Sequence, residues 1–232
     1  GRLADGKYTC IRSFDYGYND LAARTIEKAE SVHWTAPDGL DMQGWLVLPK
    51  SDLNPDAANA PYPLVVNIHG GPVSISKPRC LIRGMADLIL LQKGYALFWP
   101  NVRGSTGRGQ AFTDLVRGDL GGEDAKDHLS GLDYLVEQGI VDPDRIGVTG
   151  GSYGGYMSSW LITQDQRFAA SVPCFPSNNL TSSHLLSNIP HFDTLFLNDD
   201  YKGVLTKGNE NKYIARSPIY YADKVTTPTL HI

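Results

Sequence analysis

Five short, almost wholly apolar runs, at residues 64–68, 95–100, 146–149, 169–172 and 229–232, punctuate this chain. Between them, residues 80–92 and 126–138 have helical spacing, the second with Leu129, Leu132 and then Leu135 and Val136 on one face. A strand that is apolar on both faces needs cover above and below. Helices between such strands supply that cover and imply parallel pairing. The pattern predicts an α/β chain with a mostly parallel, doubly wound sheet, a design that gathers its chemistry at the carboxyl ends of the strands. At 232 residues the chain is long enough for one large domain with a sizeable core.

The first thirty residues read differently. Asp5-Gly6 is a turn signal ahead of a strand-like run at 8–11, and residues 19–29 are polar with a helix-compatible pattern. Residues 1–30 are therefore expected to be a linker and the tail of a preceding module, with 31–232 as the main domain. Within that domain, 32–35, the Asp38-Gly39 turn and 43–48 predict a hairpin. Its edge strand offers a surface for pairing between copies of the chain. A polar, Pro- and Ala-rich loop follows at 51–63.

Composition narrows the partners. Apolar residues make up 41% and charged residues 20%, the mix of an ordinary globular protein. A formal net charge of -4 gives no electrostatic reason to expect nucleic acid or an anionic membrane as partner. No apolar run is long enough to cross a bilayer, and the opening GRLADGKYTC lacks the plan of a signal peptide. Cys10, Cys80 and Cys174 are far apart and odd in number, with no CxxC pair. That argues against a zinc site or a disulfide framework and favours a reducing compartment, so a cytoplasmic location is expected.

The segment that carries chemistry is Arg145-Ile-Gly-Val-Thr-Gly-Gly-Ser-Tyr-Gly-Gly-Tyr156. A buried strand runs into Gly150-Gly151-Ser152-Tyr153-Gly154-Gly155, and a helix-compatible stretch follows. This fits the G-x-S-x-G nucleophile elbow, in which small residues let a sharp turn pack tightly while the serine hydroxyl stays exposed. A helix beginning just after Ser152 would aim free N–H groups at developing negative charge. His69-Gly70-Gly71-Pro72 directly follows the 64–68 strand, where hydrolases of this kind place a second oxyanion donor. The backbone N–H groups of Gly71 and Tyr153 are the expected oxyanion hole, each donor worth about 3 kcal/mol of barrier. His69 lies too early in the chain to be the base and is expected to orient or pack, as a candidate at the substrate pocket. The loop Asn101-Val-Arg-Gly-Ser-Thr-Gly-Arg-Gly-Gln110 lacks the Lys-Ser/Thr of a phosphate-binding loop. It reads as a structural loop at the rim of the site, with Arg103 in a buried ion pair to Asp124 or Asp127 and a candidate for substrate contact.

Together, HGGP at 69–72, NVRGSTGRG at 101–109, DLGGEDAKD at 119–127 and GGSYGGYM at 150–157 resemble the prolyl oligopeptidase family of serine peptidases, in its acylaminoacyl-peptidase and dipeptidyl-peptidase branch. The similarity spans roughly residues 31–232, with the motifs in family order. The resemblance implies an α/β-hydrolase catalytic domain, normally preceded by a β-propeller that admits only short peptides. Residues 1–30 are similar to the family's exit from that propeller. It also implies Ser152 as nucleophile and Gly71 and Tyr153 as oxyanion donors. Some members carry a tyrosine where this chain has His69, so the His69 side chain is not counted as a donor. Tyr156 matches an aromatic residue near the substrate pocket, which residues 176–212 are expected to line. No metal or organic cofactor is implied, and the expected partners are short peptide substrates.

A serine needs a base, and in this fold the base and its orienting acid come later in the chain. Residues 227–232 look like the strand leading to the acid-bearing loop. His33 and His128 precede the serine, His184 and His191 lie in the 176–212 region, and His231 sits inside the strand. Asp193, Asp199, Asp200 and Asp223 all precede it. None fits, so the triad Asp and His are expected beyond residue 232, and a polypeptide ending at Ile232 would be nearly inactive. The expected activity is hydrolysis of short peptides, amino- or acylaminopeptidase-like, through an acyl-enzyme on Ser152. The alternatives are an esterase or lactonase on the same fold, or a non-catalytic hydrolase-like binding protein.

Overall fold

A computed structural model describes residues 2–4, 7–9, 26–50, 60–77 and 85–232. Near the start, β1 (Arg2–Ala4) and β2 (Lys7–Thr9) pair antiparallel, so the strand-like run expected at 8–11 begins one residue earlier and has a partner. Residues 5, 6 and 10–25, with the turn and most of the helix-compatible stretch, lie outside the described residues, as do 51–59 and 78–84.

The main sheet follows. It contains β3 (Ile26–Thr35), β4 (Asp41–Pro49), β5 (Tyr62–Ile68), β6 (Ala96–Asn101), β7 (Val141–Gly151) and β8 (Phe168–Cys174), in the order β3-β4-β6-β5-β7-β8. The β5, β6, β7 and β8 pairings are parallel, and β4 runs antiparallel to both β3 and β6. The expected hairpin is β3–β4, closed by Ala36 donating to the Leu40 carbonyl at 2.8 Å, with Gly39 at φ +88°. β3 begins at Ile26 and runs through residue 30, where the sequence changes character. The charged residues Glu27, Lys28 and Glu30 disguised the strand. They suit the outer edge of a sheet, where charge discourages pairing with foreign strands.

Helices cover both faces. On one, α1 (Met85–Gln92) brings Leu91 against Val47, Leu97 and Trp99. A short α2 (Gln110–Asp114) precedes the two helices of the other face, α3 (Glu123–Glu137) and α4 (Tyr153–Gln164). They bury Leu132, Leu135, Met157 and Leu161 against Leu46, Leu64, Val66, Phe98 and Val148, all at most 2% exposed. This is the α/β-hydrolase arrangement, and it explains why the β6 run, buried at every position, is apolar on both faces. Among the described residues, no helix is long and apolar enough to cross a membrane.

Beyond β8, residues 176–212 are more regular than expected. They form α5 (Leu180–Leu186), α6 (Pro190–Leu197), α7 (Val204–Lys207) and the first residue of α8 (Lys212–Ala215). These helices are short, and Gly and Asn residues interrupt them, so no helical period spans the region. The strand expected at 229–232 lies parallel to β8, joined by one bridge, Ser171 to Thr229. Its backbone bonds extend further, from Leu230 to the Ser171 carbonyl at 3.0 Å and from Ile232 to the Pro173 carbonyl at 3.1 Å.

Candidate active site

Ser152 stands where β7 ends and α4 begins, at the carboxyl rim of the sheet. Its backbone has φ 59° and ψ −118°, a region that non-glycine residues rarely occupy, and its side chain is exposed. Three glycines make that turn possible. A Cβ on Gly154 would lie 2.1 Å from the Ile68 carbonyl oxygen, one on Gly150 2.5 Å from the same atom, and one on Gly155 2.3 Å from the Cys174 carbonyl oxygen. The elbow is thus wedged between the ends of β5 and β8. The Ser152 N–H donates to the Cys174 carbonyl at 2.9 Å, and Tyr156 N–H donates to the Ser152 carbonyl at 2.9 Å. Tyr153, first residue of α4, has an N–H too early in the helix for an intrahelical acceptor.

Beside the serine runs the loop that follows β5. A Cβ on Gly70 would sit 3.6 Å from Ser152 Cβ and 3.2 Å from the Gly151 carbonyl, so the two turns lie close together. Gly71 has φ +125°, and a Cβ there would come within 2.6 Å of the Val73 nitrogen. Only glycine fits at that position. The two segments read as an oxyanion hole are neighbours across the serine.

The polar residues behind the site are buried. The Tyr153 hydroxyl donates to Asp124 Oδ2 at 2.8 Å, and the Gly121 N–H donates to the same oxygen at 3.2 Å. Burial pushes the Asp124 carboxyl up to about 6 against those two bonds. Burial and then the Asp124 charge push the Tyr153 phenol well above its ordinary value, so its hydroxyl stays the donor. Of the two partners expected for Arg103, Asp127 takes it. Arg103 Nε and Nη2 reach the two Asp127 oxygens at 2.7 and 2.8 Å, and Nη2 also reaches Asp38 Oδ2 at 2.9 Å. Burial works against the guanidinium's charge, but the two carboxylates outweigh it and raise its pKa.

Arg103, His69 and Tyr156, the side chains expected at the substrate pocket, are all buried. Arg103 is 6% exposed inside that ion pair, and His69, at 5%, bonds Ser105 Oγ through Nε2 at 2.9 Å. Tyr156, at 2%, spends its hydroxyl on the Arg216 carbonyl at 2.9 Å. All three brace the site from behind, because each polar group finds a partner in the interior rather than facing solvent. A residue that sequence reading missed is Phe175. It follows the carbonyl that receives the Ser152 N–H, has φ +52°, and is 76% exposed. Nothing in its sequence setting separates it from an ordinary core phenylalanine at a strand end.

The six histidines have other occupations or positions. His33 lies 3.0 Å from Ser31 Oγ, His184 Nδ1 3.0 Å from the Pro190 carbonyl, and His128 is buried within α3. His191 and His231 are exposed, on α6 and on the segment beside β8. Among the described residues, no group of three or more His, Cys, Asp or Glu side chains could hold a metal ion. Cys174 is a half-buried free thiol, while Cys10 and Cys80 lie outside the described residues.

Residues 83–232 match the prolyl oligopeptidase family. The chain is 37% identical over 219 residues to the uncharacterized peptidase YuxL of Bacillus subtilis (strain 168), covering 92% of this chain and 31% of that protein. It is 36% identical to the acylamino-acid-releasing enzyme of Arabidopsis thaliana, over 73% of this chain and 22% of that protein. Among solved structures, the uncomplexed acylaminoacyl peptidase of Pyrococcus horikoshii superposes with a TM-score of 0.76 at 28% identity, covering 94% of this chain and 33% of that one. The chain thus spans a third or less of the length of these relatives. The family match covers well over half of the residues, and the chain belongs to the prolyl oligopeptidase family of serine peptidases.

Proposed function

We propose that this chain carries the acyl-transfer centre of a peptidase acting on short peptides with a free or acylated amino end. The observation that carries the reading is the closeness of the two turns at the N-terminus of α4: a Cβ added to Gly70 would lie 3.6 Å from Ser152 Cβ. Ser152 Oγ attacks the carbonyl carbon of the scissile amide. The carbonyl oxygen takes the negative charge and accepts hydrogen bonds from the N–H groups of Gly71 and Tyr153. Collapse of the adduct breaks the C–N bond and releases the amine with a proton, leaving an ester on Ser152 that water then hydrolyses. The proton moves through a histidine held by a carboxylate. The reaction calls for no metal or organic cofactor. Phe175, exposed beside the serine, is the apolar surface that a substrate side chain meets.

The test uses the complete protein with matched aminoacyl and N-acyl-aminoacyl arylamides and the corresponding esters. Cleavage of the arylamides, lost in Ser152→Ala, is the expected result. Ready cleavage of esters with none of any arylamide or short peptide would overturn the peptidase reading in favour of an esterase.

A further inference from the structure

The Gly70–Gly71 turn has no side chains with which to hold itself in place, and Gly71 adopts φ +125°. Yet a donor in an oxyanion hole must be fixed before the reaction, since its value comes from needing no reorganisation. What fixes this one is found on the neighbouring loop after β6. The His69 ring is 5% exposed and Ser105 1%. Nδ1 of His69 lies 2.8 Å from the Gly70 carbonyl, and Nε2 lies 2.9 Å from Ser105 Oγ. A carbonyl can only accept, so Nδ1 carries the proton. In the neutral ring Nε2 is then the acceptor, and the Ser105 hydroxyl donates to it.

The Ser105 end of this bond is rigid. Its N–H donates to the Val102 carbonyl at 3.0 Å, and its carbonyl accepts from Thr113 Oγ1 at 3.1 Å. Two residues earlier, the Arg103 N–H and guanidinium are clamped by Asp127. On the far side of the glycines, Thr106 N–H donates to the Ser74 carbonyl at 2.8 Å. Ser76 exchanges two bonds with Asn101, at 2.8 and 3.1 Å. The glycine turn is therefore held on both sides by the end of β6 and the loop after it, with His69–Ser105 as the attachment on the N-terminal side.

We propose that Ser105 is a positioning residue for the hydrolytic reaction. Acting through His69, it holds the Gly70–Gly71 turn so that the Gly71 N–H meets the oxyanion. This rests on the reading above of Ser152 as nucleophile and Gly71 as donor. A loosened turn still binds substrate in the ground state but meets the transition state less well, so the loss belongs in kcat rather than KM.

The experiment compares Ser105→Ala, His69→Asn, the double variant and Ser152→Ala in the complete protein, with peptide arylamide kinetics, fluorophosphonate labelling rates and thermal midpoints. Asn at 69 can still donate to the Gly70 carbonyl but does not reach Ser105. Each single variant is expected to lower kcat about tenfold, less than outright removal of an oxyanion donor, with KM within about twofold and labelling slowed in parallel. The double variant is expected to lose no more than the single variants, because both break one bond. Unchanged kcat in Ser105→Ala, a rise in KM alone, or losses that multiply in the double variant would each overturn the proposal. Should Ser105→Ala not fold, His69→Asn with the same kcat-only loss supports the proposal, and an unchanged kcat overturns it. Labelling that survives Ser152→Ala would instead overturn the underlying assignment of the nucleophile.

Discussion

At the scale of the residue, the site depends on absent side chains as much as on present ones. Gly154 faces the Ile68 carbonyl so closely that Gly154→Ala must push the elbow off β5. A loss of about 3 kcal/mol in denaturant titration is expected, with fluorophosphonate labelling abolished. Unchanged stability would mean the elbow is looser than its geometry indicates. Asp124 is the second residue with a measurable signature. Its carboxyl is pushed up to about 6 by burial, against 3.8 for the ordinary group. Between those values the folded state binds a proton that the unfolded state does not, so its contribution is most favourable below about pH 4 and is lost as pH rises through 6. Asp124→Asn keeps an acceptor for Tyr153 and cannot ionise. Relative to the variant, the native protein should lose roughly 3 kcal/mol between pH 4 and pH 7, read from urea midpoints across pH. A pH-independent difference would contradict the assignment. Ser152 and the glycines around it were legible in the sequence because the elbow's sterics demand those residue types at that spacing. The partners of Tyr153 and His69 were not. Asp124 and Ser105 lie tens of residues away, and only the fold brings them near.

Between elements, the Arg103 ion pair joins three pieces that local sequence treats as separate: the β3–β4 turn through Asp38, the loop after β6, and α3 through Asp127. Removing the guanidinium leaves Asp127, whose side chain is fully buried, without its partner. Arg103→Met is expected to cost about 3–5 kcal/mol. Removing both charges in Arg103→Met with Asp127→Leu should recover part of that. Asp38→Ala should have a much smaller effect, since that carboxylate is 42% exposed. Equal destabilisation by Arg103→Met and Asp38→Ala in chemical denaturation would show that burial is not what gives the pair its weight. The β6 run was readable because burial on both faces forces continuous apolar sequence. The start of β3 was not, because an edge strand can carry the charges of a surface helix. Helices α5–α8 escaped for another reason. Four to eight residues hold too few turns for a 3.6-residue period to show, and their contacts rather than their propensities decide them.

At the scale of the whole molecule, the sheet order does the positioning. Central β5 lies between β6 and β7, so the loop after β5 and the elbow after β7 meet at the carboxyl rim, where a doubly wound sheet leaves a crevice. Parallel order can be inferred from a sequence of alternating strands and helices. Which strands are neighbours cannot, and that adjacency turns two glycine-rich turns into one site. The central proposal is that Ser152 is the nucleophile and that the oxyanion formed on the substrate carbonyl is held between the two turns. The most direct measurement is intact and peptide-level mass spectrometry of the complete protein after reaction with a fluorophosphonate. One adduct is expected per chain, on the peptide containing Ser152, and none in Ser152→Ala. An adduct on another residue, or one that persists undiminished in Ser152→Ala, would contradict the account.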